Sequence, residues 1–205
     1  VNDDIDDNDF AASNDLGDFS IQLAGQHNIY NALAVIAAAV ELNIDLTTIR
    51  KSLEDFLGTA RRMQILGEYN GAVVIDDYAH HPTEIRATLA GVKDLYPKKN
   101  IVVVFHPHTF TRTRALLSDF AVSFEGADEV IVVDIYGSAR EIQGGVSSED
   151  LVNRIKEVNQ QKKTSYIPTL NEVEKYLRKR VSSDDVIILM GAGDIFRVGE
   201  NLINN

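Results

Sequence analysis

Four of the five histidines in this 205-residue chain fall in two short stretches, "IDDYAHHPTEI" (75–85) and "FHPHTFTRTR" (105–114). Each stretch follows an apolar run, and together they gather Asp76, Asp77, Tyr78, His80, His81, His106, His108, Arg112 and Arg114. Two chemistries use such a set. A His-x-His pair with a further histidine and an aspartate can hold zinc or another transition metal for hydrolysis, here through His80, His106, His108 and Asp77. Arginine beside histidine suits an anion better. The guanidinium fork matches two oxygens of a carboxylate or phosphate, whereas nearby cations raise the cost of binding a divalent ion. One strand-end His or Asp is usually a cap or a satisfied loop residue. The gathering of so many titratable groups is what points to a site, and it favours anion recognition with no metal held by this chain.

The elements that must position these residues are legible in the apolar pattern. From Ala72 onward, strand-like and helix-like segments alternate. "AVVIDD", "IVVVFH", "EVIVVDIY", "TSYIP" and "DVIILMG" read as strands, most of them continuous Val/Ile-rich runs of the kind buried on both faces. Between them, "PTEIRATLAGVKDLY", "TRALLSDFAVSFEGA", "SEDLVNRIKEVNQ" and "NEVEKYLRKRV" read as helices. Ser147 with Asp150, and Thr169 with Glu172, have the spacing of helix-starting capping boxes. The pattern predicts a mostly parallel, doubly wound α/β domain over 64–205, and such sheets bind ligands at the carboxyl ends of their strands. The third strand ends in Asp134 and Tyr136, followed by Arg140, and the last runs into the glycine-rich "MGAGD", a weak signal on its own. No G-x-x-x-x-G-K-[ST] phosphate loop occurs.

Residues 1–63 read as the tail of another domain. "FSIQLAG" predicts a short strand. "HNIYNALAVIAAAVEL" predicts a nearly all-apolar, buried helix, and "DLTTIRKSLEDFLG" a second helix stopped by Gly58. The acidic opening predicts a solvated loop or frayed hairpin. Asp4, Asp6 and Asn8 alternate as in a calcium loop, but Asp9 stands where the sharp-turn glycine belongs and no glutamate closes the loop. A chain that opens at Val1 with this segment reads as a piece of something longer.

Composition narrows the classes. A net charge of -11 argues against nucleic acid or an anionic membrane as a general partner. The absence of cysteine excludes disulfides and thiolate metal sites. No apolar run approaches the roughly 20 residues of a membrane span, and the acidic start is unlike a signal peptide, so a cytoplasmic location is expected.

"GQHNIYNALAVIAAA", "GTARRMQILGE", "IDDYAHHPTEI", "FHPHTFTRTRALLSDFA", "VVDIYGSARE", "GGVSSEDL" and "ILMGAGDI" occur in this order. From about Gly25 to the end, the chain resembles the C-terminal part of the Mur ligases of peptidoglycan synthesis. The doubled histidine resembles the branch that adds L-alanine, and also the branch that recycles a tripeptide. The resemblance implies that residues 1–63 end a central ATP-binding domain and 64–205 form a Rossmann-like C-terminal domain. It implies a reaction in which ATP phosphorylates the carboxylate of UDP-N-acetylmuramate and the amine of L-alanine displaces phosphate. The UDP site, the phosphate loop and the Mg2+ ligands are expected upstream, so this piece alone should not turn over.

Residue by residue, the resemblance implies adenine contacts from His27, Asn28 and Asn31, and a ribose contact from Asp77. It implies an amino-acid and acyl-phosphate region lined by Tyr78, His80, His108 and Arg112, of which His80, His108 and Arg112 are the catalytic candidates, with Arg114 behind them. It further places Arg62, at the domain junction, near ATP phosphate. Thr109 departs from the pattern, since many members carry arginine there, and this leaves Arg112 as the anchor for the alanine carboxylate. His81 is also suited to cap the helix after Pro82. Besides the recycling branch, the alternatives are the metal-dependent hydrolase and a non-catalytic module that binds an amino acid or nucleotide.

Overall fold

The computed structural model describes residues 15–23, 25–139, 141 and 143–204, without the side chain of His27. The acidic opening with its calcium-like spacing, and Arg140, lie outside the described residues. The chain divides into two units, Val1–Gln22 with Ile29–Phe56, and Leu23–Asn28 with Leu57–Asn205.

In the first unit, helices α1 (Gln26–Glu41) and α2 (Leu46–Asp55) supply a small core of Ile36, Ala39, Ile49 and Leu53, with Leu16, Phe19 and Ile21 against it. The Asp45 side chain caps α2 by accepting from the Thr48 N–H at 2.9 Å. Two expectations fail here. Residues 19–23 and 25 form no strand, and no strand among the described residues pairs with them to form a ladder. The α1 helix is also not buried all round: Ile29, Tyr30, Leu33 and Val35 are each more than half exposed, since α2 and the 16–21 segment cover only one stripe of it.

The second unit is the predicted α/β domain. Its elements are β1 (Gln64–Tyr69), β2 (Ala72–Asp77), α3 (Pro82–Leu95), β3 (Asn100–Phe105), α4 (Phe110–Ala115), α5 (Leu117–Ser123) and β4 (Glu129–Val132). They continue with α6 (Ser148–Val158), β5 (Lys163–Tyr166), α7 (Leu170–Arg180), β6 (Asp185–Met190) and α8 (Phe196–Asn204). The sheet order is β1-β2-β6-β3-β4-β5, with β1 antiparallel to β2 and every other pairing parallel.

Side chains alternate along each strand. Val73, Ile75, Val103, Phe105, Ile188 and Met190 pack on one face with α3, α5 and α6. Val74, Val102, Val104, Ile187 and Leu189 pack on the other with α7 and α8. This double cover is why the strands read as unbroken apolar runs. Both predicted capping boxes form, Ser147 with Asp150 on α6 and Thr169 with Glu172 on α7.

Three elements differ from the sequence reading. The expected single helix over 113–127 is two, broken at Leu116. Strand β1 and helix α8 were not anticipated. The β1–β2 hairpin turns on Asn70–Gly71, both at positive φ (50° and 78°), the two-residue turn whose twist matches that of the flanking strands. Among the described residues no helix is long and apolar enough to cross a membrane.

Candidate functional site

Strands β2, β6, β3 and β4 lie side by side and end on the same edge, so the loops 78–81, 191–195, 106–109 and 133–136 meet there. Between β2 and β3 the sheet inserts β6, and this change in strand order makes the crevice that the histidine loops line.

The rings form an arc along that edge. Tyr78 meets His80 edge-on at 5.3 Å, and His80 meets His108 at 6.3 Å. His108 stacks on Tyr136 at 5.5 Å and 15°, and Tyr136 meets the His106 ring edge-on at 5.5 Å. The structure thus brings Tyr78, His80 and His108 together.

His80 has a definite tautomer. Its Nδ1 lies 2.9 Å from the Tyr78 carbonyl, which only accepts, so Nδ1 carries the hydrogen and the neutral ring has its lone pair on Nε2. The Glu84 carboxylate accepts from the backbone N–H groups of His80 and His81 at 2.9 and 3.2 Å. His81 is the N-cap of α3, its Nδ1 accepting from the Thr83 N–H at 3.3 Å.

His108 and Arg112 face each other closely enough for the guanidinium charge to act on the imidazole. Burial, then that charge, then His80, lower the His108 pKa below its ordinary value. His108 Nδ1 and Arg112 Nη1 are both buried and without a hydrogen-bond partner. Donors or acceptors left in this state are costly unless a ligand completes them. A carboxylate or phosphate oxygen suits Arg112 Nη1.

Arg114 is not part of this group. Two residues on along a helix is more than half a turn round. Arg114 lies over Gly145, whose added Cβ would sit 2.7 Å from its Nη1, and it lines a separate groove with Leu117, Val146, Asp150, Asn153 and Arg154.

Asp77 is 3% exposed, and its oxygens accept from the Met63 and Ala79 N–H groups, both at 2.8 Å. This is where the structure places the carboxylate for which a ribose contact is expected. Burial raises its pKa and that of Asp76. Arg62 is exposed, with its guanidinium 6.0 Å from the Tyr78 ring centroid. Asn28 and Asn31 lie in the first two turns of α1, and the His27 side chain is outside the described set.

Arg61 is the residue the sequence reading passed over. Its Nε is 3.0 Å from Asp76 Oδ2 and its Nη2 donates to the Gly191 carbonyl at 2.7 Å. Its guanidinium also lies about midway between two rings, 5.0 Å from Tyr78 and 4.9 Å from Phe196. The doubled arginine in "ARRM" was its only sequence signal.

His106 is 6% exposed and packs against the 191–194 turn. A Cβ at Gly191 would lie 2.6 Å from the His106 carbonyl, and one at Gly193 would lie 2.9 Å from its ring, so both positions need glycine. The His106 Nδ1 is 3.9 Å from Asp194, beyond hydrogen-bond reach, and burial lowers its pKa. Among the described residues no group of three or more His, Asp or Glu side chains is arranged to hold a metal ion. The hydrolase set of His80, His106, His108 and Asp77 therefore does not assemble.

Comparison with known proteins agrees with this geometry. The family profile "Mur ligase, glutamate ligase domain" matches residues 61–193. A UDP-N-acetylmuramate–L-alanine ligase from Alkaliphilus metalliredigens is 46% identical over 188 residues, 92% of this chain and 40% of that protein. The enzyme of the same name from Desulfitobacterium hafniense is 43% identical over 189 residues, 92% of this chain and 42% of its own length. The crystal structure of the UDP-N-acetylmuramate-alanine ligase of Thermotoga maritima superposes with a TM-score of 0.77 at 33% identity, covering 91% of this chain and 39% of that one. The chain thus spans about two fifths of the length of these relatives. A doubly wound sheet with paired histidine loops at its carboxyl edge, matched over most of its length by one family profile, places this chain in the Mur ligase family.

Proposed function

We propose that this chain supplies the amino-acid side of an ATP-dependent ligase that joins L-alanine to UDP-N-acetylmuramate through an acyl phosphate. The observation that carries the reading is the unsatisfied pair His108 Nδ1 and Arg112 Nη1, enclosed beside Tyr78 and His80 in a chain 43–46% identical to enzymes of that name.

The chemistry has a clear demand. ATP transfers its terminal phosphoryl group to the muramate carboxylate, the alanine amine attacks the acyl carbon, and the C–O bond to phosphate breaks. Each step crowds negative charge, so positioned donors and cations do most of the work. Arg112 holds the alanine carboxylate by its guanidinium fork. The lone pair on His80 Nε2 is suited to take a proton from the attacking amine, and His108 faces the same region. On this reading Arg62 would contact ATP phosphate, and His27, Asn28 and Asn31 would contact adenine. Residues 1–63 close the central ATP-binding domain and 64–205 form the C-terminal one. Mg2+ would neutralise phosphate charge in such a reaction; among the described residues no group fits a site for it, and its ligands are expected upstream of this chain.

The test uses the full gene product carrying this chain. Phosphate release should require ATP, UDP-N-acetylmuramate and L-alanine together, and Arg112→Ala should raise KM for L-alanine more than it lowers kcat. Turnover that requires a preformed tripeptide in place of L-alanine would overturn the reading in favour of the recycling branch.

A further inference from the structure

Catalytic and ligand-binding histidines are usually oriented by a hydrogen bond between one ring nitrogen and a protein group. No protein group bonds His108 Nδ1, which is buried with no partner. Something else must hold the ring. Tyr136 covers one face of it, centroid to centroid 5.5 Å and within 15° of parallel. The backbones are joined as well. The Tyr136 N–H donates to the Pro107 carbonyl at 2.8 Å, and the Thr109 N–H donates to the Tyr136 carbonyl at 2.9 Å, so the two bonds bracket His108. Thr109 meanwhile holds φ at 73°, a conformation that non-glycine residues avoid unless their surroundings impose it.

Tyr136 also meets the His106 ring edge-on, but it is not a core residue. It is 46% exposed and belongs to neither core cluster of the α/β unit. We infer that Tyr136 is a positioning residue for His108, its ring and backbone together fixing the plane of the imidazole that a hydrogen bond would otherwise fix. The inference concerns the same site as the proposed ligase reading, but its test does not need the amino acid to be L-alanine.

The groups facing His108 are Arg112 from α4, His80 from the loop before α3, Glu141 from the segment after β4, and Tyr136. Tyr136 contributes by covering one face of the ring. Histidine NMR on the 205-residue chain reads this directly. In the wild type, the His108 ring protons should show the ring-current displacement of a stacked aromatic, and the titration midpoint should lie below the ordinary 6.5. Tyr136→Phe should preserve both. Tyr136→Ala should remove the displacement and move the midpoint upward toward 6.5. Should the alanine variant not fold, Tyr136→Leu keeps the bulk, and loss of the fixed NOE contacts between the His108 and His80 rings then decides. An unchanged His108 spectrum in Ala or Leu, or equal changes in Phe and Ala, would overturn the inference. Adding L-alanine to the wild type is a separate readout: no perturbation of His108 would count against the substrate reading and leave the role of Tyr136 standing.

Discussion

Arg61 and Asp76 form an ion pair at 3.0 Å in which the carboxylate is 1% exposed and the guanidinium 23%. The same guanidinium reaches the Gly191 carbonyl, so one side chain ties the 59–63 segment to the ends of both β2 and β6. The backbone reinforces the tie, with the Tyr78 N–H donating to the Arg61 carbonyl at 2.7 Å. Removing Arg61 would leave a buried carboxylate unpaired, and Asp76 Oδ1 already lacks a partner. Arg61→Ala should therefore destabilise the α/β unit by about 3 kcal/mol in urea unfolding. Adding Asp76→Ala to that variant should recover part of the loss, because no charge is then stranded; simple additivity of the two would argue against the pairing.

Asp77 joins the same segment to β2. Because it accepts from the Met63 and Ala79 N–H groups through different oxygens, an amide in its place sets an NH2 group against one of those donors. Asp77→Asn should cost about 2 kcal/mol and speed hydrogen exchange at the Met63 amide. Unaltered exchange there would show that the carboxylate does not hold the segment.

His106 makes stability depend on pH. Its folded-state pKa lies below the ordinary 6.5 because burial disfavours the charged ring. Its contribution is therefore complete above 6.5, erodes as the pH falls below that value, and is gone once the pH passes the folded-state pKa. His108, lowered by burial and by Arg112, acts in the same direction. Urea midpoints measured at neutral and mildly acid pH should fall less in His106→Gln than in the wild type. Equal slopes would mean that the buried ring is not the group that resists protonation.

Ser147 caps α6 by accepting from the Asp150 N–H at 3.1 Å, while the Asp150 carboxylate returns to the Ser147 N–H at 2.7 Å. Ser147→Ala should lower stability by about 1 kcal/mol, visible as a shifted thermal midpoint. A change within error would show that solvent satisfies that helix end equally well.

The strands, most helices and the strand-end location of the site were legible because local pattern determines them. Val/Ile runs such as 101–104 have no stable alternative to burial on both faces, and Ser147 and Thr169 mark helix starts through bonds spanning three residues. The β1–β2 hairpin was also legible from Asn70–Gly71, though it went unread. The burial of α1 could not be judged locally, since how much of an apolar helix is covered depends on which elements lie beside it.

Residue types near strand ends gathered His80, His108 and Arg112 within a larger set of titratable groups, and the family resemblance singled those three out. Which nitrogens are left without partners, that Asp77 is enclosed, that Arg114 turns toward Gly145, and that Arg61 reaches Gly191, 130 positions away, were decided by the tertiary structure alone. The physical reason is reach. Periodicity and capping act over a few residues, whereas a hydrogen bond across the crevice depends on the order of strands in the sheet, and the insertion of β6 between β2 and β3 cannot be read from any local segment.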